Sequence, residues 1–259
     1  MLTSLELDPY LFLAIAALFA GLLDAIAGGG GLIQIPALFG VYNSAMPATL
    51  FGTNKLASIF GTGLAARSYL KTVSIDWALV LPATITALVF SFMGAWTMSM
   101  VPPELFRKAL PVVLLMVAVH VFRHRNFGLQ ATAGVDDKAK LVAAALLGAV
   151  IGFYDGFFGP GTGSFLVFFL IRFFGQDFLV ASASAKVINV ACNFAALAWL
   201  VPTSEPLWAV AVLMAVFNMM GSWLGARLAI KEGATFVRKV FLFAVLALIA
   251  KTTWDAFGR

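Results

Sequence analysis

Charge is what this sequence has least of. Only 11% of its 259 residues are Asp, Glu, Lys or Arg, and 62% are hydrophobic. A soluble domain carries about 25% charge, so no soluble surface can be built from this chain. There is one cysteine, Cys192, which excludes an intrachain disulfide. The two histidines, His120 and His124, form no metal-ligand set, and no metal or cofactor is expected. No glycine-rich segment is followed by Gly-Lys-Ser/Thr, which excludes a phosphate-cradling loop and a pump driven by ATP hydrolysis within this chain. Clustered His, Cys or carboxylates near one interface are also missing, so the chain is not read as a membrane enzyme. The net charge of +5 is scattered, which argues against nucleic acid as a partner. The start, MLTSLELDP, is acidic and lacks a basic leader region, so the first span is expected to be retained.

What is there is apolar sequence in long runs. At roughly 20 residues per crossing the length allows about eight spans and no separate soluble domain. Uncharged runs fall at 10–41, 48–70, 77–100, 109–122, 141–171, 178–200, 207–230 and 239–255. The longest polar stretch lies at the middle of the chain, about 123–140.

Sliding the sequence along itself until Gly21 meets Gly152 superimposes one half on the other without a gap. GLLDAIAGGGG at 21–31 falls on GFYDGFFGPGT at 152–162. Asp24/Asp155, Lys55/Lys186, Trp77/Trp208, Arg107/Arg238 and Lys108/Lys239 coincide in the same register. Chance between apolar segments returns alanines and leucines, not these residues. The chain is therefore read as two membrane repeats, 1–131 and 132–259. If each broken run crosses once, the halves are parallel and the loop cations divide 8 to 7 between the two sides; if each is a hairpin, 11 collect on the side of the central loop and four (Arg107, Lys108, Lys251, Arg259) on the other. That division obeys the positive-inside rule and favours inverted repeats, a cytoplasmic central loop and outer termini. The expected fold is an all-α integral membrane protein, two repeats of four helices, the first of each broken at a glycine loop.

The breaks are Gly28, Gly29, Gly30 and Gly31 in the first half and GPGTG at 159–163 in the second. Backbone that leaves helix geometry inside a bilayer survives only where protein or a water-filled cavity satisfies it. Breaks at matching positions of two halves point to a transporter's binding site. Amides opening the following half-helix suit an anion. Close helix packing explains a single glycine, but not four in a row echoed by a second cluster with Pro160.

Four ionisable residues fall at membrane depth: Asp24, Asp155, Lys55 and Lys186. Such residues are costly and are usually functional. In one reading the lysines bind an anion together with the loop amides. In the other, Asp24–Lys55 and Asp155–Lys186 are buried pairs tying each broken helix to its neighbour, or the aspartates carry protons. Gln34, Thr162 and Asn193 are further lining candidates, and Ser58 and Asn189 share the lysine faces.

The motifs DAIAGGGGLIQIPAL, GTNKLASIFGTG, DGFFGPGTGSFLVF and ASAKVINVACNFAAL resemble those of the TauE/SafE family of sulfite and sulfonate exporters. The likeness covers nearly the whole chain. It implies a secondary transporter of a small organosulfur anion in a bacterial inner membrane, multi-pass, with export the expected direction. It further implies a transport core of Gly28, Gly29, Gly30, Gly31, Asn54, Lys55, Gly159, Gly161, Thr162, Gly163, Lys186 and Asn189. Partners are then the small anionic substrate and the lipid bilayer; a proton coupled through Asp24 or Asp155 and a homodimer are both compatible with the chain. The alternatives are an anion channel and an importer of another small anion.

Overall fold

In a computed structural model, residues 8–109, 112, 116 and 137–257 are described. The span expected at 109–122, His120, His124 and most of the loop at about 123–140 lie outside them. The described residues are helical with no strand. The helices are α1 (Pro9–Ala27), α2 (Gly31–Val41), α3 (Pro47–Leu70), α4 (Trp77–Ser99), α5 (Asp137–Phe157), α6 (Thr162–Phe174), α7 (Phe178–Ser204) and α8 (Trp208–Phe257). A non-helical Gly233, φ 74°, interrupts α8, so the runs at 207–230 and 239–255 lie on either side of it.

Local sequence places the ends. Asp8 accepts from the Tyr10 amide, Asp76 from Ala78, and Asp177 from Leu179 and Val180, each opening a helix. Pro9 and Pro47 occupy first-turn positions, where the missing N–H costs nothing. Among the described residues, five helical stretches are long and apolar enough to cross a membrane. These are Pro9–Ala27, Trp77–Ser99, Ala139–Phe157, Phe178–Ser204 and Trp208–Gly233. Helix α3 is more polar because Thr53, Asn54, Lys55 and Thr62 are all buried along it.

Each long run breaks where glycine stands. Helix α1 ends at Gly28, whose φ is 79°, and α2 then folds back along it. Ala37 and Leu38 of α2 thus share a buried cluster with Leu13 and Ala17 of α1 and Leu50 of α3. In the second half Gly159 and Gly161 take φ of 86° and 82°, separating α5 from α6. With 11 and 13 residues, α2 and α6 are short of a full crossing.

The halves interlock. Helix α1 packs on α8, and α4 on α5. A Cβ added to Gly221 would lie 1.9 Å from the Leu18 carbonyl oxygen, and one on Gly225 2.4 Å from that of Leu22. Along α5, Gly148, Gly152 and Gly156 meet Ala83, Ala87 and Ser91 of α4 equally closely. Glycine at these seams lets helix backbones touch, the usual route to tight packing in lipid. Contacts ascend together, so α1 runs with α8 and α4 with α5. Thr53 bonds to the amide of Leu207 while Gly61 abuts Asn218, so α3 also runs with α8. Ser91 bonds to Cys192 and Ser99 to Trp199, so α7 runs with α4. The start of α3 meets the end of α7, where Thr49 donates to the Ser204 carbonyl. The two trios therefore run in opposite directions.

Large apolar side chains cover the outside. On α4, Leu81, Ile85, Val89 and Phe92 are exposed. On α8, Val212, Val216, Met220 and Trp223 are exposed in turn. Trp77 and Trp208 open the two helices at nearly equal exposure, 54% and 56%, as interfacial aromatics do.

Candidate functional site

The two glycine breaks meet each other inside the molecule. The Ser164 amide donates to the Gly28 carbonyl at 3.0 Å, and its hydroxyl donates to that of Ala27 at 2.9 Å. Gly31 faces Pro160: a Cβ built on it would lie 3.3 Å from the Pro160 Cα. The N–H groups of Gly30, Gly31, Gly161 and Gly163 make no hydrogen bond among the described residues. They are the orphan donors at the starts of α2 and α6, where the helix dipole adds partial positive charge.

These breaks wall a cavity of about 30 Å³. That is room for roughly two waters. Its lining includes Asp24, Gly28, Gly30, Gly31, Asn54, Lys55, Asp155, Gly159, Gly161, Thr162, Gly163, Asn189 and Asn193, all singled out from sequence. Three of the expected residues stand back from it. Gly29 faces the side chains of Leu23 and Leu32. Gln34 is fully buried and accepts from the Ser58 hydroxyl at 3.1 Å, with its Nε2 unpartnered. Lys186 is buried behind Asp24 and does not reach the cavity.

The four buried charges pair, but not as expected. Lys55 reaches Asp155, and Lys186 reaches Asp24. Each pair crosses between the halves. The expectation of Asp24–Lys55 and Asp155–Lys186 pairs is corrected. The physical reason is the exchange of packing partners. Helix α1 of the first half packs on α8 of the second, α5 of the second packs on α4 of the first, and the end of α1 abuts the start of α6, which carries each aspartate to the lysine helix of the other half. Lys186 also donates to the Asp24 main-chain carbonyl, which accepts from the Gly28 amide as well.

The pairs are unequal. Lys55 and Asp155 side chains are 2% and 3% exposed, and both line the cavity. Asp24 is 13% exposed and faces the cavity, with Lys186 at 2.9 Å on its far side and the Thr62 hydroxyl at 3.2 Å. Asn193 donates to Asn189 at 2.9 Å one turn away, while the Asn54 Oδ1 has no partner although Asn54 is buried.

Ser58, Thr62 and Asn218 complete the lining. Thr62 and Asn218 are additions to the expected site. Thr62 follows Lys55 by two helical turns on the same face, a signal the sequence did offer. Asn218 did not, because the residue aligned with it when the sequence is slid along itself is Ala87. Among the described residues no three His, Cys, Asp or Glu come together to hold a metal.

Residues 13–252 match the protein family described as Sulfite exporter TauE/SafE. The chain is 34% identical over 248 residues to a Sinorhizobium protein named probable membrane transporter protein ORF9, covering 94% of this chain and 92% of that one. It is 32% identical over 250 residues to probable membrane transporter protein YfcA of Escherichia coli K12, covering 94% and 89%. A Haemophilus influenzae protein named probable membrane transporter protein is 31% identical over 240 residues, covering 91% of each. No solved structure matches the chain.

Proposed function

This chain belongs to the sulfite exporter TauE/SafE family of membrane transporters, and from the geometry of its site we propose that it moves a small organosulfur anion (sulfite, sulfoacetate or a related sulfonate) out of the cell by secondary, alternating-access transport. A transporter family is not an enzyme class, and the reading assigns the chain no reaction. One observation carries the proposal: Lys55 lines a cavity that is also lined by the glycines whose unbonded amides open α2 and α6. An ammonium group and unbonded N–H donors suit a group with one negative charge and three acceptor oxygens. The substrate site is then Lys55, Asn54, Asn189, Asn193 and the loop glycines, with Lys186 acting through Asp24.

The architecture proposed is two inverted repeats, 1–131 and 132–259, each of four apolar runs whose first folds back on itself at the glycine break, in a bacterial inner membrane. Three features support it. The trio α1, α3, α8 opposes the trio α4, α5, α7, so repeat-equivalent positions lie on helices of opposite direction. Lys140 pairs with Asp76, joining the start of α5 to the start of α4 at one end. Arg107 donates to the Ala45 carbonyl at the start of α3, at the other end. The central loop is assigned to the cytoplasm by its cations.

Two broken half-helices walling a local cavity are the arrangement of a carrier's binding site, which favours a carrier over a channel. The test is ligand-dependent thermal stability in detergent with sulfite, sulfoacetate, isethionate, taurine, sulfate, thiosulfate and acetate. A sulfonate at about 100 times its dissociation constant should stabilise wild type by about 2.7 kcal/mol. Lys55→Ala should lose that shift. Stabilisation that survives Lys55→Ala would remove the site from this cavity.

A further inference from the structure

We infer that the anion travels with one proton, taken up by Asp24, so that transport of a monovalent sulfonate is electroneutral. The inference rests on the function proposed above and adds the coupling ion and its acceptor.

The empty site is neutral. Lys55, Asp155, Lys186 and Asp24 are all buried or nearly so, and their charges sum to zero. A bare anion entering this set leaves a net negative charge at membrane depth. Burying an uncompensated charge there is strongly unfavourable. The imbalance is sharper at the wall itself. The cavity is lined by two carboxylates, Asp24 and Asp155, against one ammonium, Lys55. Lys186 compensates Asp24 from behind and offers the anion nothing.

A proton on Asp24 removes both obstacles. The carboxylate facing the cavity becomes neutral, and Lys186 is released to balance the arriving anion. The loaded site then holds Lys55 and Lys186 as cations against Asp155 and the sulfonate as anions, again summing to zero. Loaded and empty carriers both reorient without moving net charge. The proton comes from the water on the side where the anion binds and leaves with it on the other.

Asp24 is chosen over Asp155 on exposure and surroundings. Its side chain is 13% exposed, against 3% for Asp155. Lys186 of α7 and Thr62 of α3 hold the same oxygen, Oδ2. From α8, Asn218 lines the same cavity and Ser222 donates to the Gly21 carbonyl, while Arg227, Lys231 and Glu232 are exposed. From α2 and α6 only glycines and Thr162 face it, and Tyr69 of α3 donates to Ala25. Lys55 and Asp155 hold each other across the cavity. Asn54 also lines this cavity, and its buried Oδ1 accepts from nothing.

The test uses the full chain in liposomes with an entrapped pH dye and potassium–valinomycin to set the membrane potential. The probe is isethionate, whose sulfonate stays ionised throughout. The expected result is acidification of the lumen at one proton per isethionate, with flux unchanged by the potential. In detergent, the isethionate dissociation constant should rise tenfold per pH unit where the proton is taken up with the anion. Asp24→Asn, which imitates the protonated carboxyl, should bind isethionate without that dependence and exchange it without moving protons. Asp24→Glu should restore proton movement, separating titration from a folding defect. Isethionate flux without lumenal acidification, flux that follows the potential, or flux that needs sodium would each overturn the inference and leave the function standing. If no anion of the set binds or moves, the function falls and the inference with it.

Discussion

Gly28 and Gly163 touch backbone to backbone. A Cβ built on Gly28 would lie 2.3 Å from the Gly163 carbonyl carbon, and one on Gly163 2.6 Å from the Gly28 Cα. The two breaks therefore lean on each other, and no side chain larger than hydrogen fits at either. Gly28 also needs a left-handed backbone, φ 79°, which L residues adopt only with strain. Gly28→Ala should lower stability by about 3 kcal/mol, combining strain and overpacking. Gly163→Ala should act in the same direction through the clash alone. Gly40→Ala is the control, since nothing lies within 4 Å of its added carbon. Thermal unfolding in detergent checks all three, and equal melting points for Gly28→Ala and Gly40→Ala would contradict the contact.

The crosswise ion pairs make a double-mutant prediction. Removing one member of a buried pair strands the other and costs about 3–5 kcal/mol. Lys55→Met should therefore be severely destabilising, as should Asp155→Asn. Combined, the two should recover most of the loss. Lys55→Met with Asp24→Asn should recover nothing, because those residues belong to different pairs. A reversed ranking of the two double variants would restore the pairing within each half.

Acid should weaken one contact at the end of the bundle. The hydrogen bond from Lys140 holds the Asp76 carboxyl below its ordinary value of 3.8, and burial opposes this. A depressed carboxyl contributes stability above its unfolded-state value and loses it as pH falls through the folded-state value. The contribution is thus present at about pH 5 and above and fades below about pH 4. With the two side chains 32% and 39% exposed, it is under about 1 kcal/mol. Lys140→Ala should remove that acid-sensitive part. Asp76→Ala should cost about 1 kcal/mol more, since Asp76 also caps α4 through the Ala78 amide. Melting curves from about pH 3 to 7 check both.

The sites of the breaks, the burial of the four charges and the helical class were all legible in the sequence, because each follows from local chemistry. Four glycines in an apolar run and a Pro160 inside another cannot continue a helix. Pairing was not legible, because it depends on which helices cross. Nothing in the chain near Lys55 announces Asp155 far along the sequence, and the nearer candidate, Asp24, was the natural choice. Asn218 escaped for a different reason. The repeat register finds only residues present in both halves, and Ala87 has no amide to match Asn218. The same register made Lys186 look equivalent to Lys55, although only Lys55 reaches the cavity.

The exchange of partners between halves also has a consequence for how the chain is made. Lys55 and Asp24 leave the ribosome long before Asp155 and Lys186 exist. At about 5–20 residues per second, the stretch from Lys55 to Asp155 takes ~5–20 s to synthesise. Through that interval the nascent first half holds an unpartnered acid and an unpartnered base, and its insertion into lipid is complete only when the second half arrives to neutralise them.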